Sequence, residues 1–276
     1  MKNINDKKIV FITGASSGIG KACAEYFSKR DHLVYGTTRN RHLLRVWPED
    51  AAYKMLFMDV TDIESVQSSI ERIIDECGRI NVLINNAGMG MAGAIEDSSY
   101  IEIKLQFDTN LLGAFNVINS VLPHMRKAGN GIIINIASMA GVISIPFQAA
   151  YSGSKAAMIA MTEALRCELK PLGIRACSIN PGDLKTDFTF NRKLTKKSKG
   201  ETVYKQRMER SIETMARDEQ NGGDPVCIAK AAERVMKRKN PPVMVNVGLK
   251  YKLLAFLARI LPSKLREFIV IQLYSK

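Results

Sequence analysis

The chain has 276 residues, of which 46% are hydrophobic and 24% charged, and its formal net charge is +13. This length allows one large α/β domain or two small domains, and the composition excludes collagen-like, disordered and multi-span membrane classes. The positive charge is concentrated in residues 185–276, which hold 21 Lys/Arg and 9 Asp/Glu. That third either meets an anionic partner or presents a solvated surface, and charge alone favours the solvated surface.

Cysteine usage and the first residues bear on the cellular compartment. Five cysteines, an odd number, include no C-x-x-C pair, which argues against a disulfide framework or a zinc ribbon. The first eight residues lack the apolar region of a secretory signal. We therefore expect reduced thiols, no bound metal and a cytoplasmic protein, with peripheral membrane contact through residues 250–276 as one alternative discussed below.

Strands and helices alternate along the first two thirds of the chain. Apolar, β-branched runs predict strands at 8–13, 32–38, 55–58, 81–84, 132–136 and 175–179. Helical periodicity predicts helices at 17–30, from a cap at Thr61 or Asp62 to Cys77, at 100–127 with a bend near Asn110 and Gly113, and at 149–170 with Gly173 beyond it as a C-terminal cap. This alternation requires parallel strands with right-handed crossovers. The predicted fold class is α/β, a single Rossmann-type doubly wound parallel sheet with its ligand at the carboxyl ends of the strands.

The pattern changes after residue 182. Residues 183–222 are predicted to be an insertion of loop and short helices, followed by a helix at 225–239 and a last strand at 243–247. No repeat or low-complexity linker divides the chain. We therefore predict one domain over residues 1–248, extended by basic amphipathic helices over residues 249–276.

The turn after the first strand is rich in glycine, with the spacing G-x-x-x-G-x-G. Glycine permits positive φ and close backbone approach, and the N-terminus of the following helix presents free N–H groups to a pyrophosphate. An ordinary tight turn is the plainer alternative, which the strand–turn–helix context disfavours. The predicted cofactor residues of this turn are Gly14, Ser16, Ser17, Gly18, Ile19 and Gly20.

The end of the second strand indicates which dinucleotide is bound. An NAD site usually has a carboxylate there for the ribose, and residues 35–40 contain none. Arg39, beside Asn40, can stack on adenine and pair with a 2′-phosphate. We therefore predict NADP(H) in preference to NAD(H), with a plain surface arginine as the weaker interpretation.

A tyrosine and a lysine form the candidate reacting centre. Tyr151 and Lys155 are four residues apart and so share one face of the predicted helix. The reference pKa of tyrosine is about 10, and an adjacent ammonium is expected to lower the pKa and make Tyr151 a general acid or base. Ser138 follows the fifth strand, so its hydroxyl can reach the same crevice and hold a carbonyl oxygen.

At these motifs the chain resembles the short-chain dehydrogenases/reductases, over about residues 7–247. The resemblance rests on seven elements in order: Thr13-Gly14-x-x-x-Gly18-x-Gly20, Asp59-Val60, Asn85-Asn86-Ala87-Gly88, Asn110, Ser138, Tyr151-x-x-x-Lys155 and Pro181-Gly182-x-x-x-Thr186. It implies hydride transfer between a nicotinamide and a carbonyl carbon held by Ser138 and Tyr151. It also implies a homodimer or homotetramer, with the helices near 100–127 and 149–170 at the interface.

The resemblance implies roles for the remaining motifs. Asp59 and Val60 would hold adenine, while Asn86, Ala87 and Gly88 would support the ribose and the strand. Lys155 would also bind the nicotinamide ribose, and Asn110 would hold a water in a proton relay to it. Leu184 and Thr186, after Pro181-Gly182, would bind the carboxamide.

Three features bear on the substrate. Residues 192–199 carry five cations in eight residues, which indicates a solvated loop more than a site for an anionic substrate. Residues 250–276 predict two basic amphipathic helices broken at Pro262, each shorter than the ~20 residues of a membrane span. These helices could lie on an anionic membrane, cover the pocket or pack on a second subunit, with packing inside the protein slightly favoured. Apolar residues flank the catalytic motifs and suggest an apolar pocket mouth: Met89, Met91, Met139, Ile143, Ile145, Pro146 and Phe147.

We predict an NADP(H)-dependent oxidoreductase that interconverts a ketone and a secondary alcohol on a small lipophilic substrate, with Tyr151 as general acid/base. A steroid-like, bile-acid-like or lipid substrate is expected, from the similarity to the hydroxysteroid and retinol dehydrogenase-like branch. One alternative is a 3-oxoacyl or 3-ketosphinganine reductase of lipid synthesis. Another is a non-catalytic NADP-binding module, which the intact Ser138, Tyr151 and Lys155 disfavour. Nucleic-acid binding would rest on charge alone and is not expected.

Overall fold

The computed structural model describes residues 7–274 of the protein. The described residues contain nine strands: β1 (Ile9–Ile12), β2 (Leu33–Thr38), β3 (Lys54–Phe57), β4 (Val82–Asn85), β5 (Met91–Ala92), β6 (Gly131–Ile136), β7 (Ile174–Asn180), β8 (Lys193–Leu194) and β9 (Met244–Asn246). Seven of them form one parallel sheet in the order β3-β2-β1-β4-β6-β7-β9. The doubly wound parallel sheet predicted from the sequence is confirmed.

Helices connect the strands and cover the sheet. In chain order they are α1 (Gly18–Ser28), α2 (Arg41–Arg45), α3 (Ile63–Cys77), α4 (Tyr100–Phe107), α5 (Gly113–Ala128), α6 (Ala149–Leu169), α7 (Phe188–Asn191), α8 (Lys205–Gln220), α9 (Val226–Lys237), α10 (Leu249–Ile260) and α11 (Ser263–Tyr274). Asp62 caps α3, since its carboxylate accepts from the N–H groups of Glu64 and Ser65. The predicted end at Gly173 is also present, with φ +72° after the short turn that follows α6.

The sheet is buried on both faces, which explains the continuous apolar runs of its strands. On one face, α1 and α9 supply Phe27, Ile228 and Val235 to a core that includes Val10 and Ile12 of β1. On the other face, the alternate β1 residue Phe11 packs in a core with side chains from α3, α5 and α6. The period-2 alternation of a strand thus feeds two separate cores.

The strand order reverses between β1 and β4. The chain passes from β1 outward to β2 and β3, then returns to pair β4 with the other side of β1. Open α/β sheets bind ligands in the crevice that such a reversal leaves at the carboxyl ends of the strands. The glycine-rich turn after β1 and the Asn85-Asn86-Ala87-Gly88 segment after β4 meet at this point.

The bend predicted near Asn110 and Gly113 is a change of helix type. Residues Asp108–Leu112 form a π-helical turn between α4 and α5. A π turn inserts one extra residue into the helical ladder and often lies at a functional site. Here it directs the side chain of Asn110 into the protein interior, where Asn110 is fully buried.

The insertion at 183–222 differs from its prediction. It contains α8, a helix of 16 residues, where only loop and short helices were expected. Only Met208, Ser211 and Met215 of α8 are buried. With so few apolar positions among charged residues, the sequence shows little of the hydrophobic periodicity that predicts a helix. Sequence reasoning also missed α2, which Asn40 caps, and the two-residue pairing of β5 with β8.

The two tail helices pack on the rest of the protein, as the sequence slightly favoured. The first tail helix, α10, contacts β9, and α11 contacts α8. Within residues 7–274, no helix combines the length and the apolar character that crossing a membrane requires.

Candidate active site

A cleft of about 1020 Å³ runs along the carboxyl ends of the strands, from the glycine-rich turn to the tail helices. Nearly all of the predicted site residues line this cleft, and they come from seven separate segments of the chain. The predicted residues in the lining are Gly14, Ser16, Ser17, Gly18, Ile19, Arg39, Asn40, Asp59, Val60, Asn86, Ala87, Gly88, Ser138, Tyr151, Lys155, Pro181, Gly182, Leu184 and Thr186. Gly20 and Asn110 lie just behind it.

In the glycine-rich turn the backbone adopts conformations and close approaches that only glycine allows. Gly14 and Gly18 have φ of +65° and +52°, values that side chains other than glycine rarely adopt. A Cβ on Gly20 would lie 2.1 Å from the carbonyl oxygen of Gly14. The turn is thus closed tightly at the N-terminus of α1, where free N–H groups face the cleft.

Asn86 fixes the turn to β4. Its Nδ2 donates to the carbonyl oxygens of Thr13 at 3.0 Å and Gly14 at 2.9 Å. In return, the Thr13 hydroxyl oxygen accepts from the N–H groups of Asn86 and Ala87, both at 2.9 Å. These four bonds cross the reversal point of the sheet and give the glycine-rich turn a defined shape.

Residues 35–40, at the end of β2, include the cation Arg39 and no carboxylate. Arg39 is exposed and lines the cleft. The side chain of the neighbouring residue Asn40 is already hydrogen-bonded, because its Oδ1 accepts from the N–H groups of His42 and Leu43 and so caps α2. The next cation, Arg41, stacks 3.7 Å from the centroid of the Phe57 ring. Arg39 is therefore a guanidinium that is open to a bound anion at this end of the cleft.

Asp59 and Val60 form the wall on the far side of that end of the cleft. Asp59 Oδ1 accepts from the N–H and the hydroxyl of Thr61, at 2.9 and 2.7 Å. The Val60 carbonyl accepts from Asn116 of α5 at 3.0 Å. Both residues are held firmly, which suits a surface that receives a flat base.

Ser138, Tyr151 and Lys155 come together at the centre of the cleft. Ser138 follows β6, and its Oγ accepts from the Ala140 N–H at 3.0 Å. The Ser138 hydroxyl acts to lower the pKa of Tyr151, which indicates that the two hydroxyl groups are neighbours. On the next turn of α6, Lys155 Nζ donates to the Ile136 carbonyl at 2.9 Å and lies 5.9 Å from the Tyr151 ring centroid.

The electrostatics of the tyrosine differ from the sequence expectation. Burial raises the pKa of Tyr151 to about 12, and it outweighs the opposing effects of Ser138 and Arg192. Burial also lowers the pKa of Lys155 to about 8. The ammonium that was expected to lower the pKa of Tyr151 is turned toward the Ile136 carbonyl. Tyr151 therefore keeps its proton at neutral pH, which suits a general acid.

Asn110 acts in the structure as a brace. Its Oδ1 accepts from the Met89 N–H at 2.8 Å, and its Nδ2 donates to the Met89 carbonyl at 3.0 Å and to Ser154 Oγ at 3.2 Å. These bonds tie the segment after β4 to α6, between Tyr151 and Lys155 in sequence. The relay role implied by the family resemblance stays a prediction.

The segment after β7 joins the cleft to the tail. The Pro181 carbonyl accepts from the Met139 N–H at 2.8 Å. A Cβ on Gly182 would lie 2.1 Å from the Tyr251 ring, so only glycine lets α10 approach so closely. Tyr251 O–H donates to Asp183 Oδ2 at 2.6 Å, and the Asp183 N–H donates to the tyrosine oxygen at 2.9 Å. No sequence motif indicated this contact, which spans 68 residues.

A buried ion pair beside the reacting centre was also missed. Arg192 was assigned to a solvated basic run, but its side chain is 3% exposed and pairs with Glu219. The Arg192 guanidinium lies 5.9 Å from the Phe188 ring centroid, and that ring lies 5.6 Å from the Tyr151 ring. Glu219 also accepts from the Thr189 hydroxyl at 2.6 Å. The four lysines of the run are exposed, as expected.

The apolar pocket mouth is present in part. Four of the seven predicted residues line the cleft, namely Met89, Met139, Ile143 and Ile145. Met91 is buried in the small sheet. A polar residue that the sequence did not single out, Gln148, is 3% exposed, and its Nε2 lacks a partner among residues 7–274. Because Gln148 lines the cleft, its Nε2 is available to a bound molecule.

The profile of the short chain dehydrogenase family matches residues 8–197. The chain belongs to this family, and it is an NAD(P)-dependent oxidoreductase that acts on CH–OH groups. A similar curated protein is the 3-ketodihydrosphingosine reductase of Bacteroides thetaiotaomicron. It is 42% identical over 243 residues, which cover 87% of this chain and 88% of the relative.

Solved structures show the same architecture. A short-chain dehydrogenase from Streptomyces avermitilis has a TM-score of 0.82 at 27% identity, and the match covers 97% of this chain and 96% of that chain. The structure of ElxO with NADP bound has a TM-score of 0.72 at 27% identity, covering 90% of this chain and 99% of that chain. The first of these matches extends over almost the whole chain.

Proposed function

We propose that the protein is an NADPH-dependent reductase of a long-chain 2-amino ketone of the 3-ketodihydrosphingosine type. One observation carries the proposal: the cleft that holds Ser138 and Tyr151 continues along an apolar wall made by Leu254, Leu257 and Leu261 of the tail. Such a wall suits a hydrocarbon chain. The similarity to the Bacteroides reductase supports the same substrate class.

The choice of NADPH rests on the end of β2. Arg39 is exposed at the cleft, and residues 35–40 contain no carboxylate that would repel a 2′-phosphate. A guanidinium pairs with phosphate through two parallel hydrogen bonds. The residues of the glycine-rich turn fit the pyrophosphate, and ElxO, whose structure holds NADP, supports the same choice.

The reacting residues are arranged for proton donation to a carbonyl. When bound in the cleft, a reduced nicotinamide would supply the hydride that reduces the carbonyl carbon. Ser138 Oγ and the Tyr151 hydroxyl hold the carbonyl oxygen from one side, and Tyr151 gives its proton to that oxygen as the alcohol forms. Since burial raises the pKa of Tyr151 to about 12, the phenol is protonated at neutral pH and ready to act in reduction.

Lys155 holds a positive charge 5.9 Å from the Tyr151 ring centroid. Because its ammonium is turned toward the Ile136 carbonyl, we assign it to the nicotinamide ribose, as the family resemblance implies, rather than to the Tyr151 phenolate. The pKa of Lys155, about 8, leaves the ammonium largely charged at pH 7. Its bond to the Ile136 carbonyl orients it from β6, and Asn110 braces the adjacent turn of α6 through Ser154. Lys155 therefore acts from a fixed position.

Carboxylates in the cleft favour an amino ketone over a neutral one. Asp183 and Asp218 line the cleft together with Glu219. Asp183 uses Oδ2 for the Tyr251 hydroxyl, which leaves Oδ1 for a cation. Glu219 lies close enough to Tyr151 to raise the pKa of its phenol. Glu219 is already paired with Arg192, and the lining also holds Lys193 and Arg217. A 2-ammonium group, one carbon from the reacting carbonyl, would therefore take Asp183 as its partner, whereas a steroid carries no such charge.

The proposal is tested by following NADPH oxidation with four ketones: 3-ketodihydrosphingosine, its N-acetyl derivative, an oxo-steroid and a short β-keto ester. We expect kcat/KM to be highest for 3-ketodihydrosphingosine and at least about tenfold lower for the uncharged N-acetyl derivative, a difference of about 1.4 kcal/mol. Preferred turnover of the oxo-steroid would contradict the proposal. Turnover of acyl ketones that is accelerated by an acidic carrier protein would favour a 3-oxoacyl reductase instead.

A further inference from the structure

The tail helices have two different faces. The inner face of α10 is set by Tyr251, Ala255 and Ala258, which are buried or half-buried against the protein. The outer face carries large apolar side chains at a spacing of four, three and four residues: Leu249, Leu253, Phe256 and Ile260, exposed by 84%, 58%, 58% and 58%. This spacing places the four side chains on one stripe of the helix.

Exposed apolar surface is concentrated in this tail. Residues 7–274 have 20 large hydrophobic side chains that are exposed, and nine of them lie in 249–274. Scattered exposed hydrophobic residues need no explanation, but a contiguous patch marks an interaction surface. The α11 members of the patch are Leu265, Phe268, Ile269, Ile271 and Leu273.

The charge around this patch is positive. Residues 249–274 contain Lys250, Lys252, Arg259, Lys264 and Arg266 against a single acid, Glu267, and all five cations are exposed. Positive charge beside an apolar stripe is complementary to a surface that is anionic outside and apolar beneath. Each helix has 12 residues, about 18 Å in length, so each fits along such a surface.

The patch is continuous with the cleft. Ile269 and Leu273 line the cleft and are still 38% and 57% exposed. Ile269 and Leu273 therefore belong both to the cleft lining and to the exposed apolar surface of the tail. The cleft lies on the inner side of α10 and α11, and a helix is only about 10–12 Å thick.

We propose that α10 and α11 form a membrane-docking surface that places the outer face of the tail in the headgroup layer of an anionic lipid bilayer. The cleft then opens beside the bilayer, so that a lipid substrate passes between them along Ile269 and Leu273. If the patch joined two copies of the chain, the same cations would face one another and repel. The excess of positive charge therefore favours an anionic surface over a second copy. The proposal goes beyond the proposed function and does not require it, since any lipophilic substrate would use the same route.

Vesicle binding tests the docking surface without a substrate. The full chain is sedimented with vesicles of phosphatidylglycerol and phosphatidylcholine, and separately with phosphatidylcholine alone. We expect binding to the anionic vesicles, weakened by high salt, and at least about tenfold weaker binding to the neutral ones. Equal binding to both vesicle types, or binding to neither, overturns the proposal.

Two variants locate the surface. Leu253→Glu with Phe256→Glu removes the apolar stripe, and Lys252→Glu with Arg259→Glu reverses the charge. We expect each pair to weaken binding to anionic vesicles by about tenfold or more, while NADPH affinity, measured by fluorescence, stays within twofold. The matched control is Val203→Glu, at an apolar residue that is 87% exposed outside the tail, and it should bind vesicles like the parent. If both tail pairs bind like the parent, or change only its oligomeric state in light scattering, the proposal is wrong.

Discussion

The contact between the tail and the β7 loop can be tested with Tyr251→Phe. The substitution removes two hydrogen bonds, from the phenol to Asp183 Oδ2 at 2.6 Å and from the Asp183 N–H at 2.9 Å, while the ring stays against Gly182. A hydrogen bond to a charged group contributes about 1.5–3 kcal/mol, and a neutral one about 0.5–1.5 kcal/mol. Because the contact is only half-buried, we expect a loss of about 2 kcal/mol in the free energy of unfolding.

Thermal unfolding and steady-state kinetics measure the two consequences. For a chain of this size, about 2 kcal/mol corresponds to a fall in Tm of roughly 3–4 °C. The KM for a long-chain ketone should rise, since the apolar wall of the cleft is held less firmly, while a short soluble ketone should be less affected. Tyr204→Phe is the matched control, because Tyr204 O–H donates to Glu96 at 2.8 Å on the surface, where a change within about 0.5 kcal/mol is expected. If Tyr251→Phe matches this control in both Tm and KM, the tail is not held by this contact.

Four further substitutions test the site and the assembly. Tyr151→Phe should lower kcat at least about 100-fold with an NADPH dissociation constant within twofold of the parent, and near-normal turnover would remove Tyr151 as proton donor. Arg39→Asp should weaken NADPH by about 10–100-fold in a fluorescence titration and leave NADH nearly unchanged; an unaltered preference would refute the role of Arg39. Because the pKa of Lys155 is lowered to about 8, its charge is present below that pH and lost above it, so the rate of reduction should fall as the pH rises through about 8. Lys155→Arg should abolish this fall, and a fall that persists in the variant would assign it to another group. Phe115→Glu, at an α5 residue that is 49% exposed, should dissociate the expected homodimer or homotetramer in light scattering, whereas an unchanged mass would place the interface elsewhere.

Local signals explain why the sheet and the cofactor turn could be predicted. Strand β6 is a run of isoleucines that can only be buried on both faces, and its partners β4 and β7 have the same character. The turn after β1 is recognisable in the sequence by its glycines. Its backbone has positive φ at two of them and leaves no room for a Cβ at a third. In both cases the residue types in a short stretch of sequence are enough to predict the local structure.

Long-range contacts explain what could not be predicted. Arg192 and Glu219 are 27 residues apart, and nothing near Arg192 distinguishes it from the four exposed lysines that follow. Tyr251 meets Asp183 across 68 residues. The pKa of Tyr151 was expected to fall because the four-residue spacing to Lys155 is visible in sequence, but the burial that raises it is a property of the assembled cleft.

Transfer of a labelled hydride shows whether the protein reduces 3-ketodihydrosphingosine with NADPH. The protein is incubated with 3-ketodihydrosphingosine and NADPH that carries deuterium at C4, in separate reactions with each of the two C4 stereoisomers, and the product is analysed by mass spectrometry. We predict a 3-hydroxy product with one deuterium on the former carbonyl carbon in one of the two reactions, formed at least about 100-fold more slowly by Tyr151→Phe. A product without deuterium in both reactions, or no reduced product at all, would contradict this prediction.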